Sequence, residues 1–327
     1  GDRVLPVVPM FHVNAWGVPY FAPMVGAKIV FPGPKLDGES LAELINNEGV
    51  TEAWGVPTVW LGLLGHMRKT EQKFTSLKRV LIGGSAAPRA MMREFQEKYG
   101  VEGLQGWGMT EMSPIGTVSM IRPKDADLPL DRQFDIKAKQ GRAVFGVEMK
   151  IVNDDGQALP RDGKSFGELL VRGPAIISGY YENPEASAKA FDSEGWFRTG
   201  DVSKIDPEGY MEIVDRTKDV IKSGGEWISS IDLENEAVGH PEIAEAAVIA
   251  VHHPKWDERP LLVVVREPDS QLDKQGVIDY LSQRVAKWWL PDDVVFVDEL
   301  PHGATGKLQK AKLREQFKDY SLPEVGG

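Results

Sequence analysis

The sequence predicts an α/β protein in three regions, and three observations lead there. Up to residue 130, short β-branched runs alternate with amphipathic helical segments, and the runs end in Gly- or Pro-rich turns. From 131 to 217, short strands are separated by Gly, Asp and Asn turns. From 218 to 327, helices and strands mix again. The first pattern implies a parallel sheet with crossover helices, the second a small β-barrel or sandwich, and the third a smaller α+β domain.

Taken in order, Gly1 to Phe11 enters an apolar, β-like stretch almost at once. Ala27 to Phe31 reads as a strand stopped by Pro32-Gly33-Pro34. Leu41 to Glu48 has helical spacing with Ser40 as its N-cap. Glu52 to Val56 is strand-like, and Pro57 opens a helix to about Met67. Leu77 to Ile82 is the next strand, closed by Gly83-Gly84-Ser85, and Pro88 starts a helix with Met91, Met92, Phe95 and Tyr99 on its apolar side. Val147 to Val152, Asp154-Asp155-Gly156 and Gly167 to Val171 make a strand, a turn and a strand. Beyond 218, helices are expected at Ser230 to Val238 and Gln275 to Trp288, with strands at Ala246 to Val251 and Leu261 to Val265.

The 38 Lys and Arg against 49 Asp and Glu give a net charge of −11. That balance argues against a nucleic-acid or anionic-membrane partner, because the average field repels phosphate. There is no cysteine, so disulfides, thiolate metal sites and a cysteine nucleophile are excluded. A reducing, cytoplasmic compartment fits. No apolar run approaches the roughly 20 residues needed to span a bilayer.

Four clusters carry residues suited to chemistry. Gly83 to Pro88 lies between a strand end and a helix start, where small residues let a flat ligand approach the backbone; taken alone it reads first as a tight βα turn. In Gln105-Gly106-Trp107-Gly108-Met109-Thr110-Glu111, Glu111 stands where a dinucleotide fingerprint needs its third glycine. Here Trp107 offers an aromatic face for a base, Thr110 a hydroxyl for a phosphate oxygen and Glu111 a hard ligand for Mg²⁺. In the third cluster Asp201 can accept from both ribose hydroxyls and Arg216 presents a planar fork, although single surface charges are usually just solvated. The fourth, Pro301 to Leu308, has two residues between its glycines and Leu308 after Lys307, so it is no Walker loop. A Gly-flanked loop with one lysine suits delivery of a cation to developing negative charge.

The order and separations of these clusters resemble one family, over essentially the whole chain from Pro9-Met10-Phe11-His12 to Gly306-Lys307. The sequence is similar to the adenylate-forming superfamily of acyl-CoA synthetases, firefly-type luciferases and peptide-synthetase adenylation domains. It looks most like a bacterial medium- or long-chain fatty acyl-CoA synthetase, and Lys218 to Ser229 is the most specific stretch. The resemblance implies part of a large N-terminal domain, residues 1–130 and 131–217, followed by a mobile C-terminal lid, 218–327. It implies that Gly84, Ser85, Ala86, Ala87 and Trp107 frame the adenine of ATP or AMP, and that Asp201 and Arg216 hold the ribose. Thr110 would touch the α-phosphate, Glu111 would hold Mg²⁺, and Lys307 would neutralise charge as a carboxylate attacks the α-phosphorus. Lys218 would be the hinge that exchanges Lys307 for the Gly224-Gly225 strand, beside which the pantetheine of coenzyme A passes. His12 and Trp16 would line the acyl pocket.

One departure stands out. The family's Ser/Thr/Gly-rich phosphate loop ending in Pro-Lys, which precedes the His12 region, is not found in these 327 residues. The chain is therefore expected to lack the N-terminal part and to release little or no pyrophosphate from ATP and fatty acid. Other readings are a short-chain, sulfur-containing or aryl acid:CoA ligase and a catalytically silent AMP-binding fragment. The oligomeric state is open, a homodimer included.

Overall fold

The computed structural model describes residues 1–303 and 308–323 and divides the chain into two compact units. The first comprises Gly1–Thr199 and Ser203–Ile213, and the second Gly200–Val202 and the chain from Val214 onward.

The first unit begins with β1 (Arg3–Pro6), a single helical turn α1 (Val13–Trp16), α2 (Val18–Met24) and β2 (Lys28–Ile29). Then come α3 (Gly38–Asn47), β3 (Glu52–Gly55), α4 (Pro57–Thr70), β4 (Arg79–Ile82), α5 (Arg89–Tyr99) and β5 (Glu102–Gly108). β6 (Ile115–Val118), α6 (Leu130–Lys137) and β7 (Arg142–Ala143) follow. These strands make a seven-stranded sheet in the order β2-β1-β3-β4-β5-β6-β7, parallel from β2 to β5 and antiparallel across β6 and β7. The parallel α/β sheet expected from the alternating runs is present.

Strand alternation sorts this core. Leu5, Ala53, Val80 and Ile82 point to one face and pack against Leu41 and Ile45 of α3, Trp60 and Leu64 of α4 and Phe95 of α5. Val4 packs with Val18 and Ala22 of α2 on the other face, and Leu81 and Leu104 pack with Trp16. Each fully buried large side chain contributes roughly 1.5–3 kcal/mol, so the two-sided core is what stabilises so short a set of strands.

The strand expected over 27–31 is only Lys28–Ile29, because it pairs β1 alone at the sheet edge. The N-cap of α3 is Asp37 rather than Ser40: its Oδ1 accepts the Ser40 N–H at 2.9 Å. Asp and Ser cap almost equally well, and the Asp carboxylate also accepts the Ser40 hydroxyl at 2.9 Å.

A four-stranded sheet ordered β11-β10-β9-β8 follows, built from β8 (Glu148–Val152), β9 (Phe166–Arg172), β10 (Phe197–Ile205) and β11 (Met211–Arg216), with α7 (Pro184–Ala190) between β9 and β10. In the second unit lie β12 (Ile221–Ser223), β13 (Glu226–Ile228), α8 (Ser230–Val238), β14 (Ile243–His253), β15 (Asp257–Arg266), α9 (Lys274–Ser282), β16 (Asp293–Phe296) and α10 (Lys310–Gln316). Its sheet runs β13-β12-β15-β14, with β16 parallel to β15. Val248, Leu262, Val264 and Val294 face α8 and α9, while Ala247, Ile249, Leu261 and Val263 face Leu313 of α10.

The helix expected over 275–288 ends at Ser282, and Lys287–Trp289 forms a separate 3₁₀ turn. Ala286, at φ −59 and ψ 140, is extended and separates the two segments. Among the described residues no helix is long and apolar enough to cross a membrane.

Candidate functional site

In the first unit two of the four clusters stand side by side. The turn Gly83–Ala87 follows β4 and the Gln105–Glu111 segment runs along and past β5, and β4 and β5 are parallel neighbours pairing Ile82 with Gln105. Both turns therefore leave from the carboxyl side of the parallel strands, where α/β sheets bind ligands. Gly84 has φ +82, and a Cβ on Gly83 would come within 2.9 Å of the Trp16 ring and 3.1 Å of Gly106 O. Ser85 and Ala86 are exposed, while Ala87 is buried and its N–H donates to Gln105 Oε1 at 3.0 Å. Gln105 is itself anchored, its N–H donating to Ser119 Oγ at 2.7 Å. The quoted motif contained Gln105, but no role for it was legible, because its work is to hold a turn 18 residues earlier.

Trp107 is 9% exposed and packs with Met112, Met149, Ile151 and Leu169. Its ring lies so close to Gly116 that a Cβ there would sit 2.6 Å from Cζ3. Thr110 opens a 3₁₀ turn, Thr110–Met112, and is exposed. Gly108 admits no side chain, since its Cβ would fall 1.9 Å from Pro114 O. Glu111 is half-buried and its Oε1 accepts the Tyr180 hydroxyl at 3.0 Å, while Ile177 N–H donates to Glu111 O at 2.9 Å. Burial first, and the Glu111 carboxylate second, push the Tyr180 hydroxyl up. Tyr180, 69 residues away from Glu111, was missed because nothing local signals the contact. Among the described residues no group of three or more His, Asp or Glu could hold a metal ion by itself. A lone carboxylate does fit Mg²⁺, which takes one or two carboxylates beside substrate phosphates and waters.

Trp16 is buried against the Gly83 turn and shares a cluster with Val8, Leu81 and Leu104, whereas His12 is exposed. Between them Val13, Asn14, Ala15 and Trp16 have φ of +42, +54, +49 and +54, so this one turn is left-handed. Non-glycine residues pay roughly 1–2 kcal/mol each for that conformation. The packing of Trp16 and of Ala15, which is fully buried, holds it.

In the second unit Asp201 is 2% exposed and its Oδ1 lies 2.9 Å from Arg216 Nη1. Thr217 N–H donates to Gly200 O at 2.9 Å, tying the two segments together. Lys218 is exposed in the turn that follows. Gly224 and Gly225, with φ +59 and +86, form the two-residue turn between β12 and β13. Positive φ at both positions is what a type I′ hairpin requires. The Gly224 N–H donates to Trp256 O at 2.8 Å, and a Cβ there would meet the Trp256 ring at 2.9 Å. Lys307 lies outside the described residues. Its flanks are fixed: His302 pairs with Leu308, and Gln309 N–H donates to Pro301 O at 2.8 Å.

Comparison with known proteins shows the family. Residues 1–181 match the AMP-binding enzyme family and residues 232–307 its C-terminal domain, described as "AMP-binding enzyme C-terminal domain". The chain is 53% identical over 321 residues to a medium-chain-fatty-acid–CoA ligase of Ectopseudomonas oleovorans, covering 98% of this chain and 58% of that protein. It is 54% identical over 318 residues to a 3-methylmercaptopropionyl-CoA ligase of Ruegeria lacuscaerulensis, covering 97% of this chain and 58% of that one. Among solved structures, ATP-bound MatB from Rhodopseudomonas palustris superposes with a TM-score of 0.83 at 30% identity, over 97% of this chain and 60% of that one. The chain thus spans about three-fifths of the length of these relatives. The chain belongs to the AMP-binding enzymes, the adenylate-forming superfamily that its motifs resemble.

Proposed function

We propose that this chain serves an AMP-forming acid:CoA ligase acting on a medium- or long-chain fatty acid. The observation that carries the reading is the buried Asp201 carboxylate fixed at 2.9 Å by the half-exposed Arg216 fork. A carboxylate accepts from hydroxyls and a guanidinium donates to their oxygens, so a carboxylate and guanidinium placed side by side suit the two hydroxyls of a ribose. Relatives at about 50% identity that carry CoA-ligase names support the same reaction.

In the proposed chemistry a carboxylate oxygen attacks the α-phosphorus of ATP, the bond to the bridging oxygen breaks, and pyrophosphate leaves. The deprotonated thiol of coenzyme A then attacks the acyl carbonyl, the bond to the AMP oxygen breaks, and AMP departs with a thioester left behind. Small residues at Gly84 to Ala87, with Trp107, would frame the adenine, and Thr110 would bond an α-phosphate oxygen. Lys307 would neutralise charge in the first step, and the Gly224-Gly225 turn, with no side chains, would let pantetheine pass close to backbone. Mg²⁺ at Glu111 would supply positive charge against the phosphates. His12 and Trp16 would border the acyl chain, and Lys218 would be the point about which residues 218–327 turn between the two steps. The chain also lacks a Ser/Thr/Gly-rich phosphate loop ending in Pro-Lys, so turnover by these 327 residues alone should be small.

Titration calorimetry with AMP, paired with mass detection of acyl-CoA across a panel of fatty acids, 3-methylthiopropionate and benzoate, tests this. AMP binding with fatty acyl-CoA as the main product, however slow, supports the proposal. Failure to bind AMP defeats the nucleotide reading. A main product from 3-methylthiopropionate moves the substrate to the sulfur-containing acids, a class named for one of the relatives above.

A further inference from the structure

Away from the nucleotide residues, three segments of the second unit converge on one lysine. Lys310 opens α10, and its Nζ lies 2.6 Å from Glu234 Oε1 and 2.6 Å from Ser230 Oγ, both on α8. Ser230 N–H in turn donates to Asp215 Oδ2 at 2.6 Å, and Asp215 Oδ1 accepts the Arg216 N–H at 2.7 Å. Ser229, the N-cap of α8, donates its hydroxyl to Val214 O at 2.6 Å. One helical turn after Lys310, Arg314 pairs with Asp219. Lys310 and Arg314 are four residues apart, so they share a face of α10. Arg314 reaches the segment 215–219, in which Arg216 and Lys218 lie, directly at Asp219, and Lys310 is linked to it through Ser230, whose N–H bonds Asp215.

This arrangement costs more than it returns as simple glue. Asp215 and Ser230 are fully buried and the Lys310 side chain is 11% exposed. A buried ion pair seldom adds net stability over well-packed apolar groups, because desolvation consumes the attraction. Its value lies in geometry: directional bonds from Lys310 run through Ser230 to Asp215, and from Asp215 to the backbone of Arg216. The Arg216 guanidinium is aimed at Asp201 from a backbone held in this way.

We propose that Lys310 is a positioning residue that, with Arg314, clasps α10 to the turn 215–220 and thereby sets the orientation of Arg216. The part that concerns Arg216 rests on the nucleotide role proposed above. The clasp itself does not.

The test uses the 327-residue chain and two variants, Lys310→Met and the double variant Lys310→Met/Glu234→Gln, whose amide oxygen still accepts the Val248 N–H. The double variant removes both charges, so it keeps the fold even where the single one leaves Glu234 without its partner. Amide hydrogen exchange and AMP calorimetry are read on each. In the double variant, exchange at Arg216, Asp219 and Val220 should accelerate at least tenfold while the β14 amides Ala247 to Ile249 keep their protection. AMP affinity should fall at least fivefold at matched stability, a change that a purely structural anchor would not produce. A folded double variant with wild-type exchange at 216–220 overturns the clasp. Accelerated exchange with unchanged AMP affinity overturns its link to Arg216. If the wild-type chain binds no AMP, the nucleotide reading fails, and the exchange arm still decides the clasp.

Discussion

Replacing Glu234 by Gln should change how stability depends on pH, and in a direction that the structure dictates. The Glu234 Oε1 accepts the Val248 N–H at 2.7 Å and faces Lys310 Nζ at 2.6 Å. Burial pushes its carboxyl up from 4.5 to about 7, with Lys310 pulling it back only in part and Asp215 adding to the rise. The folded protein thus holds this proton more tightly than the unfolded chain does. The stability that follows is fully present below about pH 4.5 and is lost as the pH rises through 7. Over that interval the loss amounts to roughly 3 kcal/mol. Gln cannot titrate, so the variant escapes it. The unfolding free energy of Glu234→Gln relative to wild type should therefore climb by about 2–3 kcal/mol between pH 5 and pH 8. Asp215 is also raised by burial, and its slope has the same sign in both proteins. Urea titrations at several pH values, read through amide exchange in β14, measure the difference. A difference that stays constant, or that shrinks as pH rises, refutes the reasoning, because it would mean that the lysine outweighs desolvation.

Three other substitutions probe separate parts of the argument. Arg216→Ala should weaken AMP binding by about 1.5–3 kcal/mol, the worth of hydrogen bonds to a charged group, with Arg216→Lys recovering little because it lacks the planar fork; calorimetry reads both. Gly224→Ala meets the Trp256 ring at 2.9 Å and needs φ +59, whereas Gly225→Ala has open space and only φ +86 to contend with. The first should cost roughly 2–4 kcal/mol and the second about 1–2 kcal/mol, a gap that differential scanning calorimetry resolves as two distinct falls in Tm. Gly116→Ala would press within 2.4 Å of Met112 Cε and 2.6 Å of Trp107 Cζ3, so it should cost about 1–3 kcal/mol and shift the Trp107 fluorescence to the red.

The parts of the fold that were legible are those set by local chemistry. Gly83-Gly84 after an apolar run announces a strand leaving a sheet, and Gly224-Gly225 admits the positive φ of a tight hairpin; each is decided within a few residues. The long pair β14 and β15 was visible only as its central runs, since His252, His253, Glu258 and Arg259 extend the ladder without an apolar pattern. The left-handed turn at Val13–Trp16 could not have been foreseen, because no glycine marks it and tertiary packing of Trp16 overrides local preference. Gln105 and Tyr180 were invisible as site residues for a related reason: each acts on a partner that only the sheet brings near.

The clasp shows what a finer reading of helical periodicity offers. In the stretch Lys310-Ala311-Lys312-Leu313-Arg314 the cations look interchangeable, yet Lys312 is exposed and the Lys310 side chain is only 11% exposed. Their positions tell them apart. Lys310, Leu313, Arg314 and Phe317 fall at i, i+3, i+4 and i+7, the template of a core-facing stripe, and Leu313 is 1% exposed. Two cations thus occupy places where apolar residues belong. Ser230, Leu233, Glu234 and Ala237 repeat the same spacing on α8, with Ser230, Leu233 and Ala237 buried and Glu234 the misfit. A charge on a core-facing stripe needs a partner of opposite sign, because the alternative is an unpaired buried ion. Two such misfits of opposite sign, 76 residues apart between Glu234 and Lys310, are therefore candidates for each other before any coordinates exist. The structure joins them at 2.6 Å.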